Sequence, residues 1–146
     1  MAHKAHTATA AELPALAKKL REKLEQFRSL LPPSPDQLTT FAETTLSLDA
    51  LTKTALPAVQ NPTTRLMEDV QDAVTTTQVI LNQPLDIGVE KGVSLVDAAR
   101  EYTHQKDPTS SDLARISQTF SNYVEQTHTL KVELQLTIED LDRDMP

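Results

Sequence analysis

The stretch from Ser110 to Asp142, SSDLARISQTFSNYVEQTHTLKVELQLTIEDLD, decides the fold that we predict for this chain. Its apolar or nearly apolar side chains recur every three or four residues, at Leu113, Ile116, Phe120, Tyr123, Thr127, Leu130, Leu134, Ile138 and Leu141. This spacing forms one stripe along an amphipathic α-helix of roughly 48 Å. No other segment has so long a single pattern, so we expect the other segments to pack along this helix.

Residues 130–138 of that stretch, LKVELQLTI, also alternate apolar and polar side chains. Strict alternation is typical of a half-buried β-strand, which is therefore the alternative for these residues. A strand needs a partner, and the only other β-favouring run lies at residues 75–80. Because lysine, glutamate, glutamine and leucine also favour helix, we predict a helix here.

The composition of the 146-residue chain favours an all-helical domain. Glycine is rare, at two residues, and proline is frequent, at nine. That balance suits helices separated by proline-marked turns better than a β-sandwich, which needs many glycine turns. We predict an all-α fold, an antiparallel bundle of four or five helices with a long C-terminal helix. It forms a single domain over residues 9–146, after a disordered N-terminus at residues 1–8.

Proline and capping residues mark the expected helix boundaries. The first helix is expected to begin between Thr9 and Pro14 and to end near Leu31. The second starts after Ser34 and ends before Pro57, with a kink near residues 47–49 as an alternative to a continuous helix.

The third and fourth predicted helices lie on either side of Pro84. Asn61 is the expected cap of the third helix, which Pro84 terminates. The fourth helix is expected to run from Pro84 to about Tyr102 or Gln105, with both glycines in its first turns.

Charge and cysteine content exclude several classes of function. The chain has no cysteine, so disulfides, thiolate catalysis and cysteine-based zinc sites are excluded. The net charge of −7 argues against a nucleic-acid partner, whose binding surface would be basic. With no secretory signal and no apolar run of roughly 18 residues, we expect an intracellular protein of the cytoplasm or nucleus, neither secreted nor transmembrane.

The positive charge is concentrated near the N-terminus. Residues 1–31 carry six lysines and arginines against three acids, whereas the rest of the chain carries eight against eighteen. Lys18, Lys19, Arg21 and Lys23 lie in the first predicted helix. They form either a solvated face packed beside an acidic body or a contact surface for an anionic partner.

Val132 and Leu136 form a second apolar face on the C-terminal helix. They lie one turn apart, on the side away from the main stripe. The pair is either covered within the bundle or bound by a partner, through helix packing or self-association. We predict partner contacts at Val132, Leu136 and Ile138, and then at the four basic residues of the first helix.

The motif Glu-x-x-His occurs twice, at Glu101–His104 and at Glu125–His128. Two such pairs with a glutamate from each of two further helices build the di-iron site of ferritin-like bundles, and Glu43 and Glu68 could supply those glutamates. However, the motifs lie off the apolar faces of their helices and roughly 18 Å apart along the bundle axis. We therefore treat the di-iron bundle as the remote alternative and expect no metal or other cofactor.

The remaining patterns favour a binding protein over an enzyme, because the phosphate-binding, dinucleotide-binding, metalloprotease and nucleophile motifs are missing from the sequence. We predict a non-enzymatic helical protein–protein interaction module, a subunit or adaptor of a larger assembly that binds through its C-terminal helix. The alternative is a small carrier or membrane-surface protein that binds an apolar or anionic ligand.

Overall fold

The computed structural model describes residues 12–31, 34–84, 93–104, 118 and 128–145, and the elements in these ranges are all helical. The α-helices are α1 (Leu13–Ser29), α2 (Leu38–Ala58), α3 (Arg65–Asn82), α4 (Leu95–His104) and α5 (His128–Asp144), with a short 3₁₀ helix at Pro35–Gln37. They pack against one another as a helical bundle, which confirms the predicted fold class. The predicted N-terminal tail, residues 1–8, lies outside the described residues.

Helices α2 and α3 both have several helical neighbours in the described bundle. Helix α3 packs against all four other α-helices and α5 packs against α1 and α3, while α2 packs against α1, α3 and α4. Its buried residues span about 160° of the helix surface, and they are Leu38, Phe41, Ala42, Thr44, Thr45, Leu48, Asp49, Thr52 and Ala55. Within the described residues, the expectation that the other segments pack along the C-terminal stretch is therefore confirmed for α1 and α3 but not for α2 and α4. A helix with neighbours on several sides has no narrow stripe, so its sequence pattern understated its importance.

Helix α2 is continuous from Leu38 to Ala58, without a break near residues 47–49. The buried hydroxyl of Thr45 donates to the carbonyl of Phe41 at 2.8 Å. This polar side chain in the middle of α2 therefore has its hydrogen-bond partner within the same helix. The predicted end before Pro57 is also wrong, because the helix includes this residue in its last turn. Proline lacks the backbone N–H that would bond to the carbonyl four residues earlier, and the helix ends one residue after it.

Helices α2 and α3 form an antiparallel hairpin with a polar seam. Gln71 donates to the carbonyl of Gln60 at 3.1 Å near the turn. About three helical turns earlier, in the middle of α2, Asp49 accepts from Asn82 at the far end of α3, also at 3.1 Å. Helix α3 therefore runs in the opposite direction along the second half of α2.

The N-terminus of α3 lies later in the chain than predicted. The expected cap was Asn61, but Thr64 takes this position: its hydroxyl accepts from the amide of Met67 at 3.1 Å. The end at Asn82, before Pro84, is as predicted. The β-favouring run at residues 75–80 is helical, and its members Thr77 and Ile80 lie on the buried face of α3.

The described part of α4 begins at Leu95. Ser94 and Asp97 cap it reciprocally: the Asp97 amide donates to the Ser94 hydroxyl at 3.1 Å, and the Ser94 amide donates to the Asp97 carboxylate at 3.3 Å. Val93 was predicted inside the helix but precedes it. The two glycines, at 88 and 92, lie outside the described residues.

Residues 130–138 are helical as part of α5, which confirms helix over strand. Of the remaining predicted long helix, residues 110–127 lie outside the described part of the chain except for Gln118, which is helical. Leu134, Ile138 and Leu141 of α5 are buried in the core, which α1 also lines. The rings of Phe27 in α1 and Phe41 in α2 stack at 5.4 Å and join the two sides of the core.

Candidate interaction surface

The outward side of α5 presents two large apolar residues to solvent. Val132 is 53% exposed and Leu136 is 54% exposed, whereas Leu134 between them is buried. Backbone geometry explains this difference: residues 132 and 136 project about 160° to either side of residue 134 and so share the opposite face. The structure thus places the predicted pair on the surface.

Ile138 does not belong to that surface. The sequence analysis grouped it with Val132 and Leu136 as a partner contact, but it is 2% exposed and lies in the hydrophobic core. One turn after Leu134, it shares the buried stripe. We therefore remove Ile138 from the candidate partner-binding residues.

The sequence analysis missed a third exposed apolar residue, Val79 on α3, which is 58% exposed. The signal for it is its position in the helix, about 140° from the mean direction of the buried residues Ala73 and Thr77. Periodicity alone could have placed it on the outside of α3. It could not have shown which neighbouring helix lies beside it.

The register between α3 and α5 brings Val79 level with the α5 pair. Asp69 near the start of α3 lies beside Asp144 at the end of α5. Further along, Thr76 and Thr137 line the same groove between the helices. Continuing this antiparallel register places Val79 between the levels of Val132 and Leu136 on the outward side. We call these three residues the outer apolar patch.

The groove between α3 and α5 lies beside the outer apolar patch and is polar. Its volume is about 370 Å³. Asp69, Asp72, Ala73, Thr75, Thr76, Thr137 and Asp140 line it. The groove therefore gives this side of the bundle hydroxyl and carboxylate oxygens, which accept hydrogen bonds from a partner.

A pair of carboxyl groups joins α3 to the end of α5. Burial, the hydrogen bond with Asp144 and the negative charges of Asp144 and Asp140 raise the pKa of Asp69 to about 6, against the opposing charge of Arg143. One buried oxygen, Oδ2, of both Asp69 and Asp144 lacks a hydrogen-bond partner. Two carboxylates in this arrangement repel each other, and a proton shared between them relieves both problems.

The basic residues of α1 do not form one surface. Lys18 and Lys19 are exposed, but Lys23 is half-buried and projects about 140° away from Lys18 around the helix. Arg21 pairs with Asp142 of α5, with Nε 3.0 Å from the carboxylate. Part of the basic charge thus neutralises the acidic last helix. This dispersion gives the four cations no common direction toward an anionic ligand.

The most connected buried polar group is Asp49 on α2, which the sequence analysis did not single out. Its carboxylate lies 2.9 Å from Lys53 and 3.8 Å from Arg100, and it accepts from Asn82 and Gln78 on α3. Burial alone would raise the pKa of Asp49, but the hydrogen bonds from Lys53, Asn82 and Gln78 and the charge of Lys53 outweigh it and lower the pKa. Because both carboxylate oxygens of Asp49 have partners within the bundle, this network links α2, α3 and α4.

The residues considered for a di-iron site are not brought together within the described part of the chain. Three different helices carry these residues on their surfaces: Glu43 on α2, Glu68 on α3, and Glu101 and His104 on α4. The His104 ring lies 2.7 Å from the carbonyl of Arg100, within its own helix. The side chains of Glu125 and His128 lie outside the described residues. Among described residues, no group of three or more metal-ligating side chains is placed to hold an ion.

Comparisons with known proteins returned no matching protein family, no similar curated protein and no similar solved structure. No helix in the described ranges combines the length and the apolar character that a membrane crossing requires.

Proposed function

We propose that the protein is a non-enzymatic helical interaction module, a subunit or adaptor that binds a protein partner through the outward side of α5. The single observation that carries this proposal is the exposure of Val132 and Leu136 on one face, in a chain otherwise short of apolar residues. Val79 on the neighbouring helix widens the apolar area. Isolated exposed aliphatic residues are common, whereas three at one level on adjacent helices favour a binding surface.

The mechanism is packing of a partner segment onto the outer apolar patch. Val132 and Leu136 form a ridge one turn long, and Val79 is exposed on the neighbouring helix α3, at the level that the register sets. Two helices that pack side by side keep their axes about 8–10 Å apart, a distance at which the valine and leucine side chains of the patch contact a partner helix. The polar groove then forms a rim that orients the partner.

Site-specific photocrosslinking in cells of the source organism tests this proposal. A benzophenone amino acid replaces Val132, Leu136 or Val79 in turn, and the matched control replaces Leu56, which is 37% exposed on α2. We expect the same discrete crosslinked species from the three patch positions and none from position 56. Equal crosslinking from position 56, or none from the patch, would overturn the proposal.

A further inference from the structure

We infer that the occupant of the outer apolar patch is a basic amphipathic helix of another protein, which lays its apolar stripe across Val79, Val132 and Leu136. This inference rests on the proposed function, because it names the partner class of the same surface. The geometry of the patch and the charge around it carry the argument.

The shape of the patch suits a helix. Val132 and Leu136 lie one turn apart along α5, and Val79 is exposed on α3, which packs beside α5. The antiparallel register puts Val79 within about 3 Å of Leu136 along the axis. A helix that crosses the two-helix layer at this level presents apolar residues three or four positions apart to both sides of the groove.

The charge around the patch selects the partner. Glu133 and Glu139 flank Leu136 on the exposed side of α5, and Asp72 is exposed on α3. None of these three carboxylates has an ion-pair partner among the described residues. The cations on this side, Arg65 and Arg143, are already engaged with Asp144 and Asp140. Lysine or arginine beside the partner's apolar stripe would complement these carboxylates.

A second copy of the chain fits less well than a basic helix. In a two-fold dimer through this surface, the patch and the acidic residues around it would face the same residues of the second copy. Like charges would then face each other across the contact. The chain's own basic residues offer no substitute, since Arg21 is paired with Asp142 and the lysines of α1 point in different directions.

Binding of two synthetic helical peptides of about 20 residues tests the inference. Both peptides carry the same leucine stripe at helical spacing; one has lysine and arginine beside the stripe and the other has glutamate. Fluorescence anisotropy measures their affinity for the full chain and its variants. We expect the basic peptide to bind at least about tenfold more tightly, with the difference shrinking as salt is added.

Variants identify the surface that the basic peptide uses. Val132→Ser/Leu136→Ser should weaken its binding at least about tenfold, and Glu133→Lys/Glu139→Lys should weaken it and reverse the preference between peptides. The matched controls are Leu56→Ser and Glu43→Lys, which make the same types of change at exposed positions on α2. Neither control should change the affinity. Circular dichroism of each variant confirms that the bundle is retained.

Each other outcome decides against the inference in a distinguishable way. Equal binding of both peptides that still needs Val132 and Leu136 would overturn the charge selection and leave the proposed function intact. If Val132→Ser/Leu136→Ser left the affinity for the basic peptide unchanged, both the inference and the proposed function would be overturned. Without peptide binding, a dimer in light scattering that Val132→Ser/Leu136→Ser converts to a monomer would make a second copy the occupant. Absence of both binding and dimer would overturn the inference, and the crosslinking experiment would then decide the proposed function alone.

Discussion

Asp69 and Asp144 place two carboxyl groups side by side where the beginning of α3 meets the end of α5. Each keeps one buried oxygen without a hydrogen-bond partner, and the raised pKa of Asp69, about 6, follows from its burial and from this neighbour. Asp140 and Arg143 also face Asp69, and Arg65 contacts Asp144. One proton between the two carboxyl groups serves as the missing donor for both, so the contact between α3 and α5 is linked to pH.

Stability should therefore depend on pH through Asp69. Its folded pKa is raised to about 6 from 3.8, so the folded protein holds this proton more tightly than the unfolded chain. The stability that the pair contributes is complete below about pH 4 and is lost as the pH rises through about 6. Asp69→Asn supplies a permanent donor to Asp144. We expect it to raise the free energy of unfolding by about 1–2 kcal/mol at about pH 7.5 and to change it little at about pH 4.5.

Urea unfolding at these two pH values measures the effect, with Glu43→Gln as the control. Glu43 is an exposed acid on α2, far from the pair in the chain, and its neutralisation should not reproduce the pH-dependent gain. If Asp69→Asn changed stability equally at both pH values, the carboxyl groups would not share a proton in the folded protein.

Asp49 should be the most costly acid to replace. Asp49→Ala would leave Asn82 and Gln78 without their acceptor and would separate Lys53 and Arg100 from their shared carboxylate. We expect a loss of about 2–3 kcal/mol near neutral pH, measured by chemical denaturation. Asp49→Asn retains the size of the side chain and one acceptor, so it should cost less. Because the folded pKa of Asp49 is lowered, the contribution of its charge should disappear as the pH falls below about 4.

A loss from Asp49→Ala no larger than that from Glu43→Ala would contradict this prediction. Both residues are acids on α2, but Glu43 is exposed and Asp49 is buried. The comparison therefore isolates the network from the effect of removing an acid from the helix.

The cap of α3 gives a direct comparison between the sequence-based and observed boundaries. Thr64 accepts the Met67 amide, so Thr64→Ala should cost about 1 kcal/mol of unfolding free energy. Asn61→Ala, at the position predicted from the sequence, should cost much less because Asn61 precedes the helix by several residues. Thermal unfolding of the two variants measures the difference, and an equal loss from both would contradict the observed cap.

Helix class was predictable from sequence because local patterns determine it. The proline positions, the capping residues after Leu31 and the stripe through Leu134, Ile138 and Leu141 required no knowledge of the partner helices. The Ser94–Asp97 cap was also readable from its spacing, although the expected helix start at Pro84 obscured it. Boundaries within two or three residues depend on which of several candidate caps forms, as Asn61 and Thr64 show.

The arrangement of the helices was not predictable in the same way. Asp49 appeared as one acid among many, because three of its four partners come from positions 29 to 51 residues later in the chain. Asp69 and Asp144 are separated still further, and only the register of α3 against α5 joins them. The candidate surface was half predictable: Val132 and Leu136 followed from the pattern of one helix, whereas Val79 joined them through packing.

The outer apolar patch should contribute little to the stability of the isolated protein. Val132→Ser/Leu136→Ser removes apolar groups that are already more than half exposed, so we expect a change within about 0.5 kcal/mol per residue. The matched core variant is Leu134→Ser, on the same helix but 1% exposed, which should lose about 3 kcal/mol or more through the cavity and the buried hydroxyl. Guanidinium unfolding of the three proteins measures both effects. Were the double variant to lose as much as Leu134→Ser, the two side chains would serve the core, and the interaction surface would lose its main support. If Val132→Ser/Leu136→Ser lost little stability but abolished crosslinking to the partner, binding and folding would depend on different residues of the same helix.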